Sequence, residues 1–404
     1  MKVAMVSEHA SPLASLGGVD AGGQNVHVAC LADALADLGH NVTVYTRRDD
    51  PAAPRRVVMR DCVEVVHLPC GPPEPLPKDE LFCHVGELAH ALGREVRRDL
   101  PDVVHAHFWM SALATVAACR TVDVPTAVTF HALGAVKRHH QGIKDTSPPE
   151  RLRLEAAAAR AMDLVLATSN EEVFELVRMG AARQRIALVP CGVDTKRFSA
   201  VGPVEPRHGS RHRIVVVSRL VERKGIGNVI AALAQLRDAE LVVAGGGDVA
   251  SLQDDPEARR LIELAAQCGV EDRVELRGRL GRDDVPPLLR SADVVVCAPW
   301  YEPFGLVALE AMACGVPVVT TAVGGLVDTV INGVTGVHVP PRDVDALAAA
   351  LRELFEDPDR RRAFGSAGAE RARSRYDWHA IARETARAYA MAAIRPRTHV
   401  RRVG

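Results

Sequence analysis

Aromatic residues make up only 4% of this chain, so it has no obvious stacking platform for a long glycan and small ligands are favoured. Neither sign of charge is in excess. The formal net charge is −1, which leaves no global field to hold nucleic acid or an anionic membrane. No apolar run approaches the roughly twenty residues of a membrane helix. Met1-Lys2-Val3-Ala4-Met5-Val6-Ser7 lacks the apolar stretch of a signal peptide and is predicted as a short strand. The nine cysteines (Cys30, Cys62, Cys70, Cys83, Cys119, Cys191, Cys268, Cys297, Cys314) include no CxxC pair and are odd in number. Most lie in apolar runs, which predicts buried free thiols in a reducing compartment. These absences predict a soluble, cytoplasmic protein with no membrane span, no nucleic-acid partner and an unknown oligomeric state. Its 404 residues exceed one ordinary core and imply two or three domains.

Short apolar runs rich in β-branched residues alternate with helical patterns along the whole chain. Val3–Val6 reads as a strand. Val28, Leu31, Ala32, Leu35 and Leu38 then recur at helical spacing, and Gly39 closes that helix. Further strands are predicted at Asn41–Thr46, Val103–His107, Ala127–Phe130, Leu164–Thr168, Ile214–Ser218, Leu241–Ala244, Val294–Ala298 and Val316–Thr321. Unbroken apolar strands separated by helices imply parallel sheets covered on both faces. The cycle is interrupted at 199–212, where Gly, Pro and Ser occur without periodicity and a linker is predicted. The expected fold is α/β, with two doubly wound Rossmann-like domains facing each other across a cleft. One spans 1–200, with a final helix over 376–392 returning to it, and the other spans 210–375. Ligands of such sheets lie beyond the carboxyl ends of the strands. The basic tail from Arg395 to Arg402 reads as a frayed end.

The most informative segment runs from Trp300 to Pro317 and follows the strand Val294–Ala298 directly. Glu302 falls in the loop. Gly305 opens a helix that passes Glu310 and stops at Gly315. The first-turn amides near Phe304, Gly305 and Leu306 have no helical partners, and the helix dipole favours an anion there. Glu310 can accept hydrogen bonds from a ribose diol, and Glu302 from sugar hydroxyls; alternatively these are a solvated acid and a helix-face residue. Arg219 and Lys224, on the loop after Ile214–Ser218, suit a diphosphate whose charge grows as a bond breaks. An ion pair with Glu222 is the competing reading.

The glycine-rich loop Leu16–Asn25 allows backbone to approach a ligand closely. It is neither GxGxxG nor a Walker loop. Ala244–Gly247 reads as a tight turn. His131 ends a strand and can face a ligand. His105 and His107 alternate in a strand but lack a third partner at metal-site spacing, so they read as structural. The basic stretch Lys137–Lys144 reads as a solvated loop, and Asp343-Val-Asp345 as a helix start, so no metal site is predicted.

Together these motifs resemble the retaining family-4 glycosyltransferases of GT-B architecture, over nearly the whole chain. The most specific part is Glu302 and Glu310 within EPFGLVALEAMACGVPVV. The resemblance implies that Arg219 and Lys224 bind the donor diphosphate and that Glu310 binds the ribose. Glu302 and the amides of Phe304, Gly305 and Leu306 would hold the sugar, and Gly23 the phosphate. His131 would stand beside the transferring sugar, and Tyr376–Ala390 would supply the returning helix. His131, Glu302, Arg219 and Lys224 are thus the candidate catalytic residues. The nucleotide-sugar, most simply a UDP-sugar, is a co-substrate, and no cofactor or catalytic metal is implied.

Within the family, His9-Ala-Ser-Pro-Leu and Asp20-Ala-Gly-Gly-Gln-Asn25 are most similar to the D-inositol-3-phosphate glycosyltransferases. That subgroup places His9, Asp20, Asn25, Lys78, Phe108 and Arg151 around the acceptor. Phe108 replaces an expected tyrosine and Ala132 an expected threonine, which deletes two hydroxyls from the acceptor-phosphate site. Gly-Gly-Gln also occurs in the sucrose synthase and sucrose-phosphate synthase group. The reaction implied is front-face substitution at the anomeric carbon of a hexose-type sugar by a small hydroxyl acceptor. The rival readings are a non-hydrolysing nucleotide-sugar epimerase, a dinucleotide-dependent oxidoreductase and an inactive nucleotide-sugar sensor.

Overall fold

The computed structural model describes residues 1–14, 22–142, 145–207, 209 and 212–394. Its contacts divide the chain into two units. The first comprises Met1–Pro190 and the described residues from Trp378 onward, and the second is Cys191–Asp377.

The first unit is built on eight strands: β1 (Lys2–Val6), β2 (Asn41–Arg47), β3 (Arg56–Arg60), β4 (Val63–Leu68), β5 (Val103–His107), β6 (Thr126–Thr129), β7 (Leu164–Ala167) and β8 (Ile186–Leu188). Their spatial order is β3-β4-β2-β1-β5-β6-β7-β8. All neighbouring pairs are parallel except β3, which runs antiparallel to β4 at the edge. Every residue of β5, β6 and β7 is buried, as strands covered by helices on both faces require. The helix Trp378–Ile394 packs on the helix Gly23–Asp37, with His379 hydrogen-bonded to Asp37 and Trp378 edge-on to His27.

The second unit carries β9 (His212–Val217), β10 (Ala239–Ala244), β11 (Val274–Leu276), β12 (Val294–Cys297), β13 (Val318–Thr321) and β14 (Gly336–Val339). This sheet is parallel throughout, in the order β11-β10-β9-β12-β13-β14. In each sheet the chain first builds outward on one side and then crosses to the other. The order reverses between β1 and β5 in the first unit and between β9 and β12 in the second. Doubly wound sheets bind ligands beyond the carboxyl ends of the strands at such switch points.

The expected linker at 199–212 needs correction, because the division falls at Pro190/Cys191. The segment that follows is fastened to the second unit. Val193 N donates to Tyr376 O at 2.8 Å, Phe198 is buried in that unit's core, and Arg290 donates to the carbonyls of Ser199 and Pro203 at 2.9 and 2.7 Å. The stretch Lys137–Gln141 lies within the helix Gly134–Gln141 instead of a loop, and Lys137 pairs with Asp145 at 2.9 Å. Asp343 caps the helix Val344–Glu356 by accepting from Ala346 N, as its sequence position predicts. None of the nine cysteines forms a disulfide, but only Cys70, Cys119, Cys191 and Cys314 are buried, while Cys62 and Cys83 are exposed.

Candidate functional site

In the second unit, three loops at the carboxyl ends of β9, β12 and β13 meet. The β9 loop closes with the single turn Glu222–Lys224, after which Gly225 takes φ +70°. A Cβ at Gly225 would stand 2.0 Å from the Ala298 carbonyl, so a side chain is excluded there. Trp300 N donates to Arg223 O at 2.8 Å and joins the β12 loop to the β9 loop. Gly325 N donates to Glu302 O at 2.9 Å, and a Cβ at Gly324 would lie 2.0 Å from that same oxygen. The Ala244–Gly247 turn has a similar role, since a Cβ on Gly245 would meet Ser218 O at 1.8 Å.

This framework brings Lys224 and Glu302 into contact, with Lys224 Nζ donating to Glu302 Oε2. Burial alone would raise the Glu302 carboxyl. The Lys224 ammonium, helped by Arg223 and the Phe304 amide, holds it below the ordinary range instead. Gly305 adopts φ +76° immediately before the helix Leu306–Ala313, so the first-turn amides open beside this ion pair. Glu310, half-buried on that helix, has its carboxyl pushed up to about 7 by burial, against the pull of Arg282. Glu302, Lys224 and Glu310 all act on the Cys297 thiol at the end of β12. Burial first, and then the two carboxylates against the lysine, raise that thiol to about 12. Arg219 is exposed at the start of the β9 loop. Lys224, for which an ion pair with Glu222 was the competing reading, pairs with Glu302.

In the first unit, the loops after β1 and β5 converge on Phe108. Its ring stands 4.9 Å from that of His9, 5.3 Å from Lys78 Nζ and 5.1 Å from the Arg151 guanidinium. Phe108 has φ +82°, a conformation unusual for a residue with a side chain, and its amide donates to Thr129 O at 2.9 Å. Arg151 is buried and donates to Glu155, Ser147 Oγ and the Ala132 carbonyl, the last at 2.6 Å. Four of the six acceptor candidates therefore meet around one ring. Asn25 has a different task. Its amide accepts from Gly22 N and donates to Ser11 O, both at 3.0 Å, and so fixes the start of the helix that Gly23 opens. Asp20 lies outside the described residues. Two polar residues that the sequence reading missed complete this floor. Glu8 accepts from Ser111 and bonds His9 Nδ1 at 2.7 Å, while Gln24 donates to Ser7 Oγ at 3.1 Å. The only sequence signal for them is adjacency to His9 and Gly23.

His131 belongs to a buried histidine cluster. Its Nε2 lies 2.9 Å from His107 Nδ1, and its ring is edge-on to that of His27 at 4.9 Å. His105 bonds Tyr389 OH at 2.7 Å and Thr129 Oγ1 at 3.0 Å. Burial, reinforced for His105, His107 and His131 by neighbouring histidines, depresses all four imidazoles: His27 to about 4, His105 to about 3, and His107 and His131 well below the ordinary value. The cluster is neutral at physiological pH. Among the described residues no group of three or more His, Cys, Asp or Glu is placed to hold a metal ion, and no helix is long and apolar enough to cross a membrane.

A family model described as Glycosyltransferase Family 4 matches residues 21–197, and one described as Glycosyl transferases group 1 matches 203–371. The chain is 38% identical to the D-inositol 3-phosphate glycosyltransferase of Kribbella flavida, covering 96% of this chain and 95% of that protein. It is 39% identical to the protein of the same name from Xylanimonas cellulosilytica, over 98% of this chain and 97% of the other. Among solved structures, sucrose-phosphate synthase from Thermosynechococcus elongatus superposes with a TM-score of 0.86 at 32% identity, covering 96% of this chain and 98% of that one. Anabaena Alr3699/HepE, solved with UDP and glucose, shares the fold at a TM-score of 0.72 and 21% identity, over 96% of this chain and 99% of that one.

Proposed function

The chain belongs to the family-4 glycosyltransferases of GT-B architecture, and on that premise we propose that it transfers a hexose-type sugar from a UDP-sugar to a hydroxyl of a small phosphorylated acceptor, with retention of anomeric configuration. The observation that carries this reading is the Lys224–Glu302 pair at the N-terminal end of the helix Leu306–Ala313. A cation and a helix N-terminus suit a diphosphate leaving group, and an ionised carboxylate at the same place suits the hydroxyls of the sugar it carries. Glu310 receives the ribose diol, and Arg219 adds a second cation. Gly23 offers its amide to the phosphate, and His131 hydrogen-bonds the reacting sugar.

Retention follows if the acceptor hydroxyl attacks from the face that the diphosphate leaves. The new glycosidic bond forms as the anomeric C–O bond to phosphate breaks, and a phosphate oxygen takes the acceptor proton. Lys224, Arg219 and the helix amides stabilise the charge that develops on the leaving oxygens.

A phosphorylated acceptor is supported by Lys78 and Arg151 over the Phe108 ring. The names of the curated relatives and of the solved relative at 32% identity both carry a phosphate. Phe108 and Ala132 offer no hydroxyl, so the grip on that phosphate is weaker than a tyrosine and threonine would give. UDP-, GDP-, ADP- and dTDP-sugars, scored for thermal stabilisation and acceptor-dependent nucleotide release, test the proposal. Stabilisation by UDP-sugars and UDP release with inositol 3-phosphate support it. Preference for another base, or no turnover with any donor, counts against it.

A further inference from the structure

We propose that Glu8 is a positioning residue: it holds the proton of the His9 imidazole on Nδ1, so that His9 offers a bare Nε2 to a hydroxyl of the sugar acceptor. The acceptor's place rests on the function proposed above; the Glu8–His9 pairing does not.

The chain turns as it leaves β1. Ser7 Oγ donates to Ala10 O at 2.9 Å, and Arg47 N, at the end of β2, donates to Glu8 O at 3.2 Å. In that turn the side chains of two successive residues meet, with Glu8 Oε1 2.7 Å from His9 Nδ1. The other carboxyl oxygen, Oε2, accepts from Ser111 Oγ, which itself accepts from Glu8 N at 3.1 Å. Glu8 is only 3% exposed and Ser111 is fully buried, in the first turn of the helix Trp109–Ala118. The dipole of that helix favours a carboxylate at this end, and the hydrogen bonds that Glu8 accepts favour the same ionised form.

An ionised carboxyl has no proton to give. The 2.7 Å contact then requires the proton on His9 Nδ1, because a bare nitrogen would face the carboxylate lone pair to lone pair. The competing arrangement, a Glu8 acid donating to a bare Nδ1, runs against basicity: an ordinary imidazole binds a proton more tightly than an ordinary carboxylate by about two pK units. A neutral imidazole carries a single proton, so Nε2 is left bare. Among the described residues Glu8 is the one hydrogen-bond partner of His9, and Nε2 is the edge left for a ligand.

The surroundings divide the work of binding an acceptor. The His9 ring stands edge-on to Phe108 at 4.9 Å, and Lys78 and Arg151 lie over that same ring. The two cations suit an anionic group. A bare ring nitrogen accepts from a hydroxyl and repels a phosphate oxygen, so His9 reads the hydroxyl part of the same molecule.

The test uses long-range proton–nitrogen spectra of histidine-labelled full-length protein at about pH 8, with the His9 signals assigned by their loss in His9→Gln. In the wild type, Nδ1 of His9 should be of the protonated type and Nε2 of the bare type. Inositol 3-phosphate should shift the Nε2 signal, and inorganic phosphate alone should not. Glu8→Leu roughly keeps the volume but removes the acceptor oxygen, and should abolish the signature. Its acceptor KM should rise on the order of tenfold, with the donor KM unchanged within about twofold. A wild-type His9 that carries a proton on Nε2 under these conditions overturns the proposal. So does a Glu8→Leu protein that keeps the wild-type signature or the wild-type acceptor KM. If inositol 3-phosphate is glycosylated but leaves Nε2 unmoved, the proposal falls while the proposed function stands. If no acceptor is glycosylated, the function falls, and the wild-type signature still decides the Glu8–His9 pairing.

Discussion

Replacing Lys224 with alanine should reduce stability and donor turnover through separable causes. In the folded protein the Glu302 carboxylate depends on this ammonium, and its side chain is only 16% exposed, that of Lys224 20%. Breaking a fully buried pair by removing one partner costs about 3–5 kcal/mol. The residual exposure lets water screen part of that, so about 2 kcal/mol is the reasoned loss. For units of this size, that corresponds to roughly 4–8 °C in melting temperature.

The pH dependence gives the sign. In the wild type the folded Glu302 value is depressed, so its contribution is present above the unfolded carboxylate range and is lost as pH falls through the folded value. In Lys224→Ala, burial acts with little opposition and raises the carboxyl, so ionising it costs stability as pH rises. The difference in melting temperature should be largest near neutral pH and close in acid. Glu302→Gln added to Lys224→Ala should recover most of the lost stability, since the orphaned charge is gone. Acceptor-dependent nucleotide release should fall on the order of 100- to 1,000-fold in Lys224→Ala and should not recover in the double variant. A variant that loses stability but turns over within threefold of wild type would make Lys224 purely structural. A loss that does not vary with pH would refute the ion-pair reasoning.

Glu310 titrates near 7, so donor affinity should rise from about pH 6 to about pH 8 as its carboxylate forms to receive the ribose diol. Glu310→Gln should remove that rise in a calorimetric titration and weaken binding at pH 8 on the order of tenfold. Phe108→Tyr places a hydroxyl near Lys78 and Arg151 and should lower the KM of a phosphorylated acceptor on the order of tenfold while leaving donor KM unchanged. Gly324→Ala should destabilise by more than about 3 kcal/mol in urea unfolding, because its Cβ would stand 2.0 Å from Glu302 O at φ +53°.

The alternation of apolar strands and helices was legible because strands buried on both faces are rich in apolar residues, as Val103–Val104 of β5, Val294–Val296 of β12 and Val318–Val319 of β13 are. The edge strand Arg56–Arg60 escaped because its residues alternate between half-buried and exposed and carry an arginine at each end. The linker was misplaced for a definite reason. Gly, Pro and Ser mark loops, but composition cannot show that Arg290 fastens the carbonyls of such a loop to a folded unit. In the site, Glu302 and Glu310 stood out by spacing on one loop and one helix. Their electrostatic states did not, since Lys224 lies 78 residues from Glu302 and only the fold brings the two together. The same holds for the histidines. The alternation of His105 and His107 placed them on one strand face, but the return of His131 and Tyr389 to that face depends on β6 and on the last helix.

The most direct test of the account is the anomeric configuration of its product. The purified protein is incubated with an α-linked UDP-hexose and inositol 3-phosphate, and the product's anomeric proton coupling is read by NMR. The account predicts an α-glycoside accompanied by one UDP per glycoside formed; a β-glycoside, or no transfer from any UDP-hexose, would contradict it.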